Sequence, residues 1–305
     1  MAVEIPPRNA DPRGGDQSPG TRRSGVLYAV RQLLRLWGLF ARMDLLWLSR
    51  STRDALMWLV SDLVARLAGI MTTLLLAERF HGIGHWSKAQ IIFMLGYAMV
   101  VGGVLDTLFG YNVKMISRRI GRGQLDHMLV QPQPLWRLIL TEGFMPYSQP
   151  IVLVVAGALL AWSSTQLAVV VTPLWLLLLA GNLLASAVIV LSVQLSWGSL
   201  AFWAPRSAEE ITMSTDAMVG SLGTLPLDNV PRVLLGGLLT AMPVGFVAWV
   251  PARAITGVAP LFPGALVTLV AAPVFFAVAV LVFRKGLRHY GRVGSKRYSP
   301  FGHRR

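Results

Sequence analysis

The residues best equipped for chemistry in this chain are charges set among apolar neighbours. Asp62 and Arg66 stand four positions apart in the middle of the apolar stretch 54–77. In bilayer hydrocarbon an isolated charge costs at least ~2.5 kcal/mol on the insertion scale, so such residues face protein or water and usually pair. The i,i+4 spacing lets these two pair within one helix. Two readings stand side by side: a structural ion pair that tolerates burial, or the polar lining of a path through the membrane. Asp106 lies toward one end of the stretch 89–111 and shares a helical face with Gly102 and Gly110. Small residues on such a face predict a closely packed neighbouring helix. Asp216 sits among Thr212, Ser214, Thr215 and Ser221, a polar set that belongs inside a bundle or beside water. Asn182 and Gln194 are polar interruptions suited to interhelical hydrogen bonds. Asp62, Arg66, Asp106 and Asp216 are therefore the candidate polar residues of a translocation path.

Catalytic constellations are missing. No G-x-x-x-x-G-K-[ST] phosphate loop occurs, and Gly121-Arg122-Gly123 runs on into Gln124 and Leu125, which is no dinucleotide fingerprint. No G-x-S-x-G elbow is present. His81 and His85 lie four apart beside Gly82 and Gly84, without a third ligand in view, so no metal site is expected. The chain has no cysteine, which removes disulfides, thiolate chemistry and Cys-based metal sites. The expectation is a protein that is not an enzyme and holds no cofactor or metal of its own.

The elements that position these charges follow from composition. The chain is 54% hydrophobic and only 14% charged, with a mean hydropathy of +0.57; a soluble domain would carry about 25% charge. Several apolar runs exceed ~18 residues, which predicts an all-α, multi-pass membrane protein. A Pro- and Gly-rich disordered tail is expected over 1–25. An amphipathic interfacial helix follows over 26–53, with Arg31, Arg35 and Arg42 opposite Leu33, Trp37 and Phe40. A transmembrane domain covers 54–285 and a basic tail 286–305. Its six spans are read near 54–77, 89–111, 138–162, 169–203, 211–225 and 261–283. Pro146 and Pro150 should kink the third span, and Glu142 in its first turn would be favoured by the helix dipole. Residues 204–210 read as a short inner loop. Pro226, Pro231, Pro243 and Pro251 break 226–256 into pieces too short to span, the pattern of an outer re-entrant hairpin.

Charge orients the bundle. The formal net charge is +14, and with six spans and both ends inside, about 23 of the 28 Lys and Arg face the cytoplasm. Only Arg79, Lys88, Arg232 and Arg253 lie outside. Letting 233–250 span would give seven passes and put the basic tail outside, against that bias. The positive charge is thus a topology signal. It brings anionic membrane lipids as partners and needs no nucleic acid. An excess of Arg over Lys with abundant Ala, Val, Gly and Pro suggests a bacterial source, hence the inner membrane.

The longest polar interval between apolar spans lies in the loop 114–137. It carries Lys114, Arg118, Arg119 and Arg122, then an amphipathic turn of Leu125, Asp126, Met128 and Leu129, then Pro132 and Pro134. The segment RRIGRGQLDHMLVQPQPLW resembles a motif of ABC-2-type ABC transporter permeases, in which a basic pair precedes Gly-[Glu/Gln]-Leu-Asp-x-x-Leu-x-x-Pro. Gly123, Leu125, Asp126, Leu129 and Pro132 fall on matching positions, Gln124 replaces the more usual acid, and Pro134 comes early. GSLAFW at 198–203 and the run from Pro231 to Ala252 are similar to later parts of the same family, so the resemblance covers roughly 42–287.

The resemblance implies six spans per subunit, an interfacial helix, and an identical or homologous second permease. It also implies separate ATP-binding cassette ATPase subunits that carry ATP and Mg. The coupling residues it implies are Gly121, Gly123, Leu125, Asp126, Met128, Leu129, Pro132 and Pro134. Leu125, Met128 and Leu129 would form an apolar ridge for the ATPase, Asp126 would pair with a basic residue of that partner, and the prolines would stiffen the exit. The function implied is a permease subunit, with export as the family tendency. The alternative is an ion-coupled secondary transporter using Asp62, Arg66, Asp106 or Asp216, which requires a midplane ionisable cluster and internal repeats.

Overall fold

The computed structural model describes residues 19–79, 85–147, 150–167 and 169–294. Twelve α-helices are found among them: α1 (Pro19–Arg50), α2 (Thr52–Arg79), α3 (Lys88–Phe109), α4 (Ile116–Gly121), α5 (Gln124–Leu129), α6 (Leu135–Thr141), α7 (Pro150–Gln166), α8 (Pro173–Ser199), α9 (Pro205–Leu222), α10 (Arg232–Thr240), α11 (Trp249–Ile255) and α12 (Leu261–Val293). Among the described residues four helices, in α2, α3, α8 and α12, are long and apolar enough to cross a membrane; α10 and the chain from Val244 to Ile255 form one apolar pair bent by 69°, a fifth candidate if counted as one span.

Local chemistry sets the helix ends. Ser87 and Gln90 form a reciprocal capping box at the start of α3. Thr172 caps α8 ahead of Pro173, and Pro205 opens α9, where a missing N–H costs nothing. The bundle's centre is α3, whose Phe93, Met94 and Tyr97 are fully buried. It lies along α7, and α12 lies along α8. The close approach of α3 to α7 uses Gly96 and Gly103: a Cβ at Gly103 would stand 2.8 Å from Leu153 Cδ2. The expected packing face of Gly102 is a correction, since a Cβ there meets nothing within 4 Å.

Several expected boundaries move. Helix α1 begins at Pro19, inside the interval read as a disordered tail, while residues 1–18 lie outside the described residues. The third span is not one kinked helix: α6 stops at Thr141, and the chain crosses the end of α3 before α7 begins at Pro150. Gly143 permits that crossing, because a Cβ there would be 1.7 Å from the Phe109 carbonyl oxygen. Glu142 therefore caps the C-terminal end of α6, where the dipole opposes it, and is held instead by Arg119 at 2.5 Å. Residues 205–210, read as loop, form the first turns of α9, which buries Ala208, Thr212 and Thr215 on one face. Helix α12 runs on to Val293, through residues assigned to the basic tail, because Gly286 and Tyr290 pack inward.

Candidate functional site

The segment 114–137, expected to couple to a partner, is a compact hairpin of short helices. Helix α3 ends at Gly110, a turn over Tyr111–Met115 leads into α4, and Gly123 takes φ +72° between α4 and α5. That left-handed value is the reason for glycine there. Leu125 and Met128 point into the chain's own core, 0% and 4% exposed, against Ile116, Ile120, Leu138 and Phe202. Leu129 and Val130 point outward, 45% and 82% exposed, followed by exposed Pro132 and Pro134. This corrects the expected ridge. Only Leu129 of the three apolar residues is free to meet a partner, and Val130, not singled out in sequence, carries the larger exposed surface.

Asp126 is corrected as well. Tyr290, at the far end of the chain, donates its hydroxyl to Asp126 Oδ1 at 2.5 Å. The carboxylate is an internal tie between α5 and α12 and not an outward contact. Tyr290 also meets Phe202 edge-on at 5.7 Å, and Phe202 lies over Gly286, where a Cβ would come within 2.1 Å of Phe202 Cδ2. Gly198 seats Ile116 of α4, since a Cβ there would lie 2.2 Å from Ile116 Cγ2. The GSLAFW segment is thus the seat of the α4–α5 hairpin. Gly121 is buried in the last turn of α4.

Charges fasten the hairpin to its neighbours. Lys114 Nζ lies 2.6 Å from Asp216 Oδ2, Arg118 Nε lies 3.1 Å from Glu209 Oε1, and Arg119 pairs with Glu142. The first two pairs tie the α4 segment to α9. Gln194 of α8 adds a hydrogen bond to Asp216 Oδ1 at 3.2 Å.

Asp106 and Asp216 come together, with Lys114 and Gln194, on one cavity of about 320 Å³ between α3, α8 and α9. Gly102 lines it too, which explains the open space at that glycine. Asp62 does not line it: α2 packs on α1 and α3, away from α9. The side chain of Arg66 lies outside the described residues. The four intramembrane candidates therefore do not form one cluster. Lys114 was legible only as a basic residue of the loop, since its partner is remote in sequence.

At the opposite end, the 226–256 segment is held by a different device. Asp228 Oδ2 accepts the indole N–H groups of Trp86 at 2.5 Å and Trp249 at 3.0 Å. Arg253 approaches Asp228 Oδ1 at 3.6 Å and covers the Trp249 ring at 4.9 Å. Trp175 and Gln90 donate to the Ile255 and Thr256 carbonyls. No sequence motif marked Asp228 or Trp86. Among the described residues no three His, Asp or Glu converge as a metal site; His85 is exposed, and His81 lies outside them.

Long apolar helices around a buried α3 define a multi-pass helical membrane protein. A family model described as ABC-2 family transporter protein matches residues 63–294. The chain belongs to that family and is an ABC transporter permease, a transport subunit. Comparison with curated proteins and with solved structures gives no match. The family assignment leaves the ion-coupled alternative without support.

Proposed function

We propose that this permease is moved by separate ATP-binding cassette subunits, which bind ATP and Mg and dock on the loop 114–137, and that it works as an exporter. The observation that carries this reading is the division of the α4–α5 hairpin. Its root, Leu125, Met128 and Asp126, is locked into the bundle, while its tip, Leu129 and Val130, is apolar and exposed. A rigid root with a free apolar tip passes a push from a partner into α9 and α12 without absorbing it. Nucleotide must bind two states of the assembly differently for that push to shift them.

In this reading α2, α3, α7, α8, α9 and α12 cross the bacterial inner membrane, α10 and α11 form a re-entrant outer hairpin, and both termini are cytoplasmic. The 69° bend between α10 and the following segment supports the hairpin. A second permease, identical or homologous, and anionic lipids complete the assembly. The test is a pull-down of the ATPase subunit by a Leu129→Asp/Val130→Asp variant. Association is expected to be lost while membrane insertion is kept; unchanged association would remove the docking role.

A further inference from the structure

We infer that a second cavity, bounded by the end of α3, by α4 and by the 142–145 segment, holds the phosphodiester of an anionic membrane lipid. The inference rests on the membrane placement proposed above and gives its lipid contact a defined seat. The cavity measures about 310 Å³, room for a headgroup while the acyl chains stay in the bilayer. Its charged lining is Arg118, Arg119 and Arg122 against one carboxylate, Glu142. Each charge can be followed to its partner. Arg119 is held by Glu142, and Arg118 meets Glu209 of α9 through Nε at 3.1 Å. Arg122 is exposed, and among the described residues it has no acidic partner. One positive charge is therefore left over after both pairs are counted. Gln124 adds an amide donor to the lining. A phosphodiester brings one negative charge and two unbridged oxygens, which match the paired N–H groups of a guanidinium.

The surroundings favour a lipid over a soluble partner. Tyr111 lines the cavity and is exposed just past the end of α3, where amphipathic aromatic rings mark a membrane surface. Gly143 and Met145 on the other wall flank Phe144, whose ring stacks on Trp37 of α1 at 5.4 Å. The backbone N–H of Tyr147 donates to Asp44 of α1 at 2.9 Å. Helix α1 exposes Leu34, Leu39 and Met43 together with Arg31 and Arg35, the make-up of a helix lying in the membrane interface. A basic pocket framed by such a helix and an exposed tyrosine lies at headgroup depth. An acidic segment of an ATPase subunit would answer the charge but leave these neighbours unexplained. A headgroup seated there clamps α4, and with it the hairpin, to the membrane surface.

The test uses the delipidated full chain in detergent, titrated with phosphatidylglycerol or phosphatidylcholine of matched acyl chains. Native mass spectrometry counts the lipids bound one at a time. Phosphatidylcholine shares the phosphodiester but adds a choline cation. The first phosphatidylglycerol is expected to bind about tenfold or more tightly than the first phosphatidylcholine. Arg122→Gln should remove that preference, and Lys285→Gln, at an exposed position of α12 outside the cavity, should keep it. Should Arg122→Gln not elute as the parent does, Arg118→Gln must weaken the preference in its place. Equal binding of the two lipids by the unaltered chain, or equal losses at Arg122 and Lys285, overturns the inference. Glycerol 3-phosphate bound as tightly as the lipid would assign the site to a soluble phosphate and overturn the lipid source. No lipid preference, with ATPase association lost in Arg122→Gln, would give the arginines to the partner and overturn it too. Failure of the lipid titration leaves the Leu129–Val130 pull-down untouched, and loss of that docking role leaves the titration standing.

Discussion

The two ends of the bundle hold their acidic residues by different means. At the α10–α11 end, Asp228 is gripped by the N–H groups of two buried tryptophans in addition to Arg253, which approaches its other oxygen and lies over an indole ring. At the α4–α5 end, Asp216, Glu209 and Glu142 each face a lysine or arginine on a separate segment. Neutral indole donors inside apolar surroundings have no substitute once the acid is gone, so they lock. Partly exposed ion pairs exchange with water and salt at little cost, so they can be remade. The fold thus has a fastened end and an adjustable end, and the adjustable one carries the α4–α5 hairpin.

The sharpest way to break this comparison is to attack the hairpin's root and tip in parallel. Leu125→Asp places a carboxylate where the side chain is 0% exposed, a loss of several kcal/mol, on the order of 3–5. Folded protein should vanish from size-exclusion profiles, whereas Leu129→Asp should elute as the parent does. Equal profiles would mean that the root is not buried in the membrane-embedded protein. Next comes the fastened end. Asp228→Ala leaves two buried indole N–H groups without an acceptor, each costing about 1–3 kcal/mol, and thermal unfolding should fall accordingly. A midpoint unchanged by this substitution would show that the indoles are satisfied otherwise. The smallest effect is expected at Arg118→Gln, within about 1 kcal/mol because that pair is partly exposed. Hydrogen exchange sharpens the same contrast: raising salt should speed exchange in α9 more than in α11, where the two indole bonds to Asp228 remain beside the Arg253 pair. Parallel acceleration in both would erase the distinction between the ends.

How much of this was legible in the sequence depends on range. Long apolar runs placed α3, α8 and α12, and four prolines marked the broken 226–256 segment, because length and local backbone chemistry suffice for both. The loop 114–137 stood out by its charge, and Asp106 and Asp216 by their apolar setting. What stayed hidden was direction. Within a six-residue helix, Leu125, Met128 and Leu129 all read as one apolar ridge, and only the packing of α5 on α4 and α6 decides which of them face inward. Asp126 finds its partner 164 residues away, a separation no spacing rule spans. Glu142 was misread for a related reason: the break after α6 comes from Gly143 passing the end of α3, a tertiary contact.

The central claim is that a partner covers the Leu129–Val130 tip. The chain contains no cysteine, so a single Val130→Cys substitution supplies a unique probe. In the chain alone, that thiol should react rapidly with a membrane-impermeant maleimide applied to the cytoplasmic face. In the assembled transporter, the same thiol should be protected. Equal labelling in both, or labelling only from the opposite face of the membrane, would contradict the account.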